Sequence, residues 1–193
     1  VKNKSILEHV IDLYRRHGIE IIHVVRGYMK DSITFDGINY IDNDNYESTS
    51  ELFSFKKALN GINHNLFCSF GDVLFKPYLL KQLDDIDDEV VIVVDTDWQD
   101  SVNKERAADY VVCSNSFSKL HSGREIYLKS AGEDIDQNLI HGEWTGLIKF
   151  KSSVIPTIKE ELIRFSKDEN FNDLKMFHFL NYLLSRGINI KVI

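Results

Sequence analysis

The sequence has few residues that break or cross-link a chain, and it has no long apolar run. Its 193 residues include two Pro, ten Gly and two Cys, which argues against fibrous or low-complexity classes and against a disulfide-stapled secreted scaffold. No apolar run approaches the ~18 residues that a membrane-spanning helix needs. We also see no basic-then-apolar leader, so we expect a cytoplasmic protein with no membrane partner.

Positive charges are also outnumbered by negative ones, with 23 Lys and Arg against 30 Asp and Glu. The formal net charge is −7, so bulk attraction to duplex nucleic acid or to an anionic membrane is not expected. A nucleotide could still bind, provided that a metal ion or a few local Lys and Arg side chains meet its phosphates. The 12 Phe, the 8 Tyr and the 43% hydrophobic content are enough for a packed core, and the length predicts one domain over residues 1–193.

Common catalytic signatures are missing as well. The sequence contains no Walker loop, no dinucleotide fingerprint and no Gly-x-Ser-x-Gly elbow. None of its seven His has the spacing of a zinc site. Candidate functional residues must therefore be sought among the polar side chains that follow predicted strands.

Helical and strand patterns alternate through the first hundred residues, which predicts βαβ units in a three-layer α/β/α fold with a mostly parallel mixed sheet. Further on, three strand-like segments follow one another without a clear helix, which indicates a small antiparallel or mixed section. The predicted helices are 5–17, 50–60, 77–83, 154–166 and 172–186, and the predicted strands are 19–25, 38–41, 66–70, 90–94, 110–113, 125–128, 145–150 and 188–193.

Acidic residues follow two of these strands directly. In an open α/β sheet, ligands bind beyond the carboxyl ends of the strands. Gly71-Asp72 places a carboxylate there with room for a ligand beside the backbone, which suits Mg²⁺ held between a carboxylate and a phosphate. The alternative is an Asp that only caps the next turn.

A second acidic pair, Asp95 and Asp97, follows the strand 90–94. An Asp-x-Asp at a strand end suits a metal-bound nucleotide in some glycosyl-transfer enzymes. The alternative is that both belong to a solvated acidic stretch. Elsewhere, the hydroxyls around Ser48–Ser50 open a helix, where they either cap it or help its free N–H groups to bind the edge of a base.

Taken in order, these segments resemble the nucleotidyltransferases with a glycosyltransferase-A-like fold. More narrowly, the chain resembles the phosphonate and phosphocholine cytidylyltransferases, one branch of which is fused behind phosphoenolpyruvate mutase domains in phosphonate biosynthesis. The segments that carry the resemblance are Lys4–His9 (K-x-I-L-E-H), Val24–Tyr28, Asp42-Asn43 with Tyr46, the helix start Thr49–Ser54, Ser69–Asp72, Gly142–Leu147 and the late helix before Ile188–Ile193.

The resemblance implies a nucleotide-diphospho-sugar-transferase-like fold and an enzyme that transfers a cytidylyl group from CTP to a small phosphonate or phosphomonoester, releasing pyrophosphate. It makes Asp72 one of two aspartates that hold Mg²⁺ on the triphosphate. It places Thr49, Glu51 and Ser54 on the side of the base. The residues it places on the acceptor side are Arg26, Asp97, Glu143, Thr145 and Lys149.

The sequence also departs from the family pattern. A Gly-x-Gly-Ser/Thr-Arg loop followed by Pro-Lys is not found, nor is the late turn that supplies the second metal aspartate. We therefore expect residues 1–193 to lack both terminal segments and to have little activity alone. Two alternatives stay open: a glycosyltransferase of the same fold that uses Asp95 and Asp97, and a non-catalytic nucleotide-binding or assembly domain.

Overall fold

The computed structural model describes residues 4–100, 108–117 and 125–193. Within these ranges the chain forms five α-helices and eight β-strands. The helices are α1 (Ile6–Arg16), α2 (Glu51–Leu59), α3 (Pro77–Asp85), α4 (Ile155–Phe165) and α5 (Met176–Ser185). The strands are β1 (His23–Arg26), β2 (Asn39–Asp42), β3 (Leu66–Cys68), β4 (Val90–Asp95), β5 (Tyr110–Cys113), β6 (Leu128–Gly132), β7 (Gly142–Phe150) and β8 (Lys191–Val192).

The long strand β7 organises the main sheet. Strand β4 pairs antiparallel with one edge of β7, while β5 and β3 pair antiparallel with successive parts of the other edge. β6 then pairs antiparallel with β5, and β8 pairs parallel with β4. Strands β3, β4, β5 and β8 thus point one way and β6 and β7 the other. β1 and β2 form a separate parallel pair.

Helices cover both faces of the main sheet, and β4 shows this residue by residue. Its Val90, Ile92 and Val94 pack into one apolar cluster with α2, α4 and α5, whereas Val91 and Val93 pack into a second cluster with α1 and α3. A strand buried on both faces is a continuous apolar run rather than an alternating one. The expected mixed α/β fold, with helices in layers on both sides of a central sheet, is confirmed.

Local signals explain several element boundaries. The Ser5 hydroxyl accepts a hydrogen bond from the Glu8 N–H at 3.1 Å and so caps α1. After α1 the chain turns through Gly18, whose φ of +91° lies in the left-handed region. Pro77 occupies the first turn of α3, where its missing N–H costs nothing.

Some strands lie a few residues from their expected positions because of tertiary contacts. The strand predicted at 125–128 is β6 at Leu128–Gly132, where Ala131 is fixed by two hydrogen bonds to the Asn181 amide of α5 (2.9 and 2.7 Å). Strand β7 begins at Gly142 instead of residue 145 because Glu143 pairs with Asp95 on one side and Tyr110 on the other. Among the described helices, none is both long and apolar enough to cross a membrane.

Candidate functional site

A cleft of about 830 Å³ lies between α1, β1, β3 and α2. This volume is within the range of ordinary ligand pockets. Most of the wall is apolar, and includes Val10, Ile22 and Phe55. Three of the residues expected at the nucleotide and metal site line the same cleft: Glu51, Ser54 and Asp72.

Asp72 lies just beyond the carboxyl end of β3. It is exposed, and its carboxylate makes no hydrogen bond or ion pair with any other residue in the described part of the chain. Next to it, a Cβ placed on Gly71 would lie 3.7 Å from the Leu7 side chain, so the turn runs close to the start of α1. The side chain therefore remains available to a ligand at the rim of the cleft.

Two of the sequence motifs meet beside Asp72. The ring of Phe70 packs on Trp144 with 5.5 Å between ring centroids, and it also lies against Gly146. The Trp144 indole N–H donates to the Leu147 carbonyl at 3.2 Å. The segments Ser69–Asp72 and Gly142–Leu147, which are 70 residues apart in sequence, thus form one wall, with Trp144 in a packing role.

The start of α2 is held by a buried side chain that the sequence reasoning gave no role. Asn43, only 2% exposed, donates from Nδ2 to the hydroxyls of Thr49 (3.0 Å) and Ser54 (3.2 Å). Thr49 in turn donates to the Asn45 carbonyl at 2.9 Å and is not among the described residues that line the cleft. The available signal was a polar residue directly after strand β2.

Glu51 connects the starts of two helices. Its Oε1 accepts a hydrogen bond from the Met176 N–H at 2.9 Å, which joins α2 to the first turn of α5. The charge of Glu51 also acts on Asp109, the residue just before β5. Burial first, and then the neighbouring Glu51, raise the pKa of Asp109 to about 6.

Arg26, expected on the acceptor side, is occupied by its own loop. Its guanidinium forms an ion pair with Asp42 at 2.9 Å and donates to the carbonyls of Lys30 and Ile33, both at 3.0 Å. It also lies 4.0 Å from the centroid of the Tyr40 ring. The structure thus gives Arg26 the role of closing the segment between β1 and β2.

Lys149 requires a correction. Its side chain is in the core, 3% exposed, and its ammonium donates to the carbonyls of Leu83 (2.6 Å) and Ile86 at the end of α3. Burial lowers the pKa of this amine. Lys149 is also six residues from Glu143 along β7, roughly 20 Å at the usual rise per residue. It therefore satisfies helix carbonyls and does not reach an acceptor beside Glu143.

The Thr145 hydroxyl serves the backbone of the sheet. It donates to the Val93 carbonyl at 2.9 Å, where the pairing of β4 with β7 shifts register between Ile92 and Val94. A β-bulge leaves a backbone group unpaired, and the hydroxyl satisfies it. Glu143, two residues before Thr145, is half-buried. It lies at the end of the sheet where β4 finishes and β7 begins.

Asp97 lies in an exposed turn after β4. Its N–H donates to the Asp95 carboxylate at 2.9 Å, as in a turn closed by an Asp side chain. Neither aspartate is among the described residues that line the cleft. Across residues 4–100, 108–117 and 125–193, no three His, Cys, Asp or Glu side chains are grouped to hold a metal ion.

Comparison with known proteins is consistent with this architecture. No family model matches the chain. The CTP:phosphoglutamine cytidylyltransferase of Campylobacter jejuni is 24% identical over 208 residues, covering 100% of this chain and 81% of that protein. The inositol-1-phosphate CTP transferase from T. maritima has a similar structure, with a TM-score of 0.71 and 17% identity, over 97% of this chain and 71% of that one.

A CTP:phosphocholine cytidylyltransferase from Streptococcus pneumoniae also shares the fold, with a TM-score of 0.61 and 14% identity, over 100% of this chain and 77% of that one. These comparisons support an enzyme of the nucleotidyltransferase class. The chain therefore has the glycosyltransferase-A-like fold, and its resemblance to the cytidylyltransferases of that fold is confirmed.

Proposed function

We propose that this protein transfers a cytidylyl group from CTP to a small phosphonate or phosphomonoester and releases pyrophosphate. CTP is named in all three of the relatives above, and each of those names includes a phosphorylated small molecule. We extend both features to this chain.

The observation that carries the proposal is the position of Asp72. Its carboxylate is exposed at the carboxyl end of β3, is not held by another described side chain, and lines the same cleft as Glu51 and Ser54. Ligands of open α/β sheets bind at such strand ends. An Asp that only capped its own turn would carry a local hydrogen bond, as Asp95 does through the Asp97 N–H.

The residues present fit Mg²⁺ in one particular way. Mg²⁺ is usually held by one or two carboxylates together with substrate phosphates and water, seldom by an all-protein cage. The described ranges contain no cluster of three potential metal ligands, and Asp72 offers one free carboxylate. This arrangement suits an ion that a triphosphate also ligates. When bound there, Mg²⁺ would neutralise charge on the phosphates.

The reaction we propose is a direct displacement. An acceptor phosphate or phosphonate oxygen forms a bond to the α-phosphorus of CTP, and the bond from that phosphorus to the bridging oxygen breaks. The electron pair leaves with pyrophosphate. The acceptor oxygen is already ionised near neutral pH, so the protein need only position the reactants and stabilise charge. We therefore assign no general base.

On the base side we propose the start of α2. Ser54 and Glu51 line the cleft, while Thr49 is held behind them by Asn43. For the acceptor we keep Glu143 and Asp97, which lie where β4 ends and β7 begins. Arg26, Thr145 and Lys149 act through the backbone and loops that they fix.

Other parts of the expectation stay predictions. These are a fusion to a phosphoenolpyruvate mutase domain, a place in phosphonate biosynthesis, a cytoplasmic location and the absence of a nucleic-acid partner. A glycosyltransferase using Asp95 and Asp97 is the main rival function. Their carboxylates are exposed, but one of them already accepts the N–H of the other residue, which disfavours a paired metal site.

The deciding experiment measures pyrophosphate release by the full-length protein. CTP, UTP, GTP and ATP are each combined with aminoethylphosphonate, hydroxyethylphosphonate, phosphocholine or a sugar phosphate. We expect turnover with CTP, a loss of at least about 100-fold in Asp72→Asn, and no loss in Asp85→Asn, an exposed carboxylate on α3. Normal turnover by Asp72→Asn, or a loss confined to Asp97→Asn with a nucleotide sugar, would refute the proposal.

A further inference from the structure

The loop that follows α2 begins with the pair Asn60-Gly61, which occurs once in the sequence. An asparagine that precedes glycine has a chemistry of its own, because the backbone nitrogen of the next residue can attack the side-chain carbonyl carbon and close a five-membered ring. A side chain on that next residue hinders the approach, and glycine has none. The pair is therefore a candidate for spontaneous modification, provided that the fold leaves it free to react.

The fold leaves both residues exposed and without partners. Leu59, the last residue of α2, is 2% exposed and fixes the chain on one side, whereas Asn60 and Gly61 lie in water beyond it. Among the residues that the structure describes, the Asn60 side chain has no hydrogen-bond partner, and neither does the Gly61 N–H. The attacking nitrogen and the amide that it attacks are thus both unengaged.

The turn itself offers little resistance to the movement that the reaction needs. The ψ of Asn60 is 127°, so this bond must rotate before the Gly61 nitrogen meets the side-chain carbon. A Cβ placed on Gly61 would have no neighbour within 4 Å. One backbone hydrogen bond spans the turn, from the Ile62 N–H to the Leu59 carbonyl, and it is long at 3.3 Å. Segments with so few contacts open locally far more readily than the core does.

The other two asparagines of this loop are held in place. The side-chain oxygen of Asn63 accepts a hydrogen bond from the Lys159 ammonium at 3.2 Å, and that of Asn65 accepts from the Ser152 N–H at 2.8 Å. Both residues are exposed, but each is followed by a residue with a bulky side chain. They differ from Asn60 in anchoring and in the next residue, and so they serve as internal controls.

We propose that Asn60 deamidates in the folded protein. The Gly61 nitrogen forms a bond to Cγ of Asn60 and loses its proton. The bond from Cγ to the side-chain nitrogen breaks, and this nitrogen leaves with the electron pair and a proton as ammonia. Water then adds to either carbonyl of the cyclic imide and opens it to aspartate or isoaspartate at position 60. The reaction needs no oxidant, reductant or enzyme, and it is independent of the function proposed above.

The modification places a negative charge at the carboxyl end of α2. The carbonyls there disfavour a negative charge, but Lys56 and Lys57 lie in the last turn and offset the effect. Isoaspartate also lengthens the backbone by one carbon, and the anchors at Asn63 and Asn65 confine this change to the exposed turn. We therefore expect the modified protein to stay folded, with a formal net charge one unit more negative than −7.

The test is a time course on the full-length protein at pH 8, followed by digestion at acidic pH and mass spectrometry. Replacing the amide NH2 with OH changes the mass of the peptide, and electron-transfer fragmentation separates aspartate from isoaspartate. We expect Asn60 to convert at least about tenfold faster than Asn63 or Asn65, which corresponds to a barrier about 1.4 kcal/mol lower. Conversion should be slower at pH 6, because the attacking nitrogen must lose its proton.

Two results of this time course would overturn the proposal. Equal conversion at all three asparagines would mean that the reaction follows global unfolding. An unchanged Asn60, at a time when a synthetic peptide of residues 57–63 has reacted completely, would mean that the folded turn blocks the attack.

A matched pair of glycine variants separates the chemistry from backbone strain. Gly61 and Gly187 have similar φ values, +85° and +81°, and both have open space where a Cβ would lie. Gly61→Ala should slow the conversion of Asn60 at least about tenfold, and Gly187→Ala should leave it unchanged. Asn60→Asp should co-elute with the aspartate product on anion exchange. Equal rates in the two glycine variants, or a product that elutes elsewhere, would contradict the proposal.

Discussion

The ring of Phe70 occupies the space that a side chain on Gly146 would need. A Cβ on this glycine would lie 2.3 Å from Cδ2 of the ring, and the backbone at Gly146 has a φ of +80°. Phe70 precedes Gly71-Asp72 and Gly146 lies in the bulge of β7, so this contact aligns the two segments that border the candidate metal position.

We predict that Gly146→Ala destabilises the fold by about 3 kcal/mol, since overpacking and left-handed strain both contribute. Gly61→Ala is the matched control, because Gly61 has a similar φ of +85° but a Cβ added there would have no neighbour within 4 Å. It should lose only about 1 kcal/mol. Urea denaturation measures both, and equal losses would show that Phe70 yields without cost.

Asn43 should act as a positioning residue for the start of α2. Replacing it with Ala removes its hydrogen bonds to the Thr49 and Ser54 hydroxyls. We expect about 1–3 kcal/mol of lost stability and, if α2 binds the base, a KM for CTP about tenfold higher with kcat little changed. Asn60→Ala at the exposed end of α2 is the control. A fall in kcat alone would contradict this role.

The elements that could be predicted are those with local signals. α1 has its capping Ser5 and its periodic apolar face, and β4 is an uninterrupted apolar run, so both appear within one or two residues of their expected positions. The position of Asp72 beyond the end of β3 could be predicted as well, because Gly-Asp follows an apolar strand in the sequence. Its role as a metal ligand stays a prediction. In each case the deciding interactions lie within a few residues.

The roles of Lys149, Thr145 and Asn43 could not be predicted in the same way. Lys149 finds its carbonyl partners 63 and 66 residues away in sequence, and Thr145 finds Val93 across a register shift. A sequence shows that a Lys or Thr is present but not which backbone groups the fold leaves unsatisfied. The role of Asn43 could not be predicted for the same reason, since it depends on the Thr49 hydroxyl just before α2 and the Ser54 hydroxyl within it.

Asp109 is expected to make the stability of the fold depend on pH. Burial and then Glu51, with smaller effects from Glu133 and Glu143 and an opposing one from Lys175, raise its pKa to about 6 from 3.8. The native state therefore holds a proton that the unfolded state releases between about pH 4 and pH 6, and stability falls as pH rises through that window.

Replacing Asp109 with Asn should remove this loss. The substitution changes the free energy of unfolding by one amount at pH 4 and by another at pH 7. Because the group is only partly buried, we expect the value at pH 7 to be more stabilising by about 1 kcal/mol. Urea titrations at several pH values give the difference. Asp168→Asn, in an exposed turn after α4, supplies the comparison. A constant difference across the window would mean that Asp109 titrates normally.

Lys149 gives the opposite test at alkaline pH. Burial lowers the pKa of its ammonium from 10.5, so the native state gives up a proton that the unfolded state keeps until about pH 10.5. Stability contributed by this group therefore rises with pH between its lowered pKa and 10.5.

The variant Lys149→Met tests this, because Met has a side chain of similar length that does not titrate. The free energy of unfolding of wild type should therefore rise relative to that of the variant across that interval. Lys167→Met, in the turn after α4, is the control. If the stability difference between wild type and Lys149→Met is flat with pH while the variant folds, the amine is solvated and does not hold the end of α3.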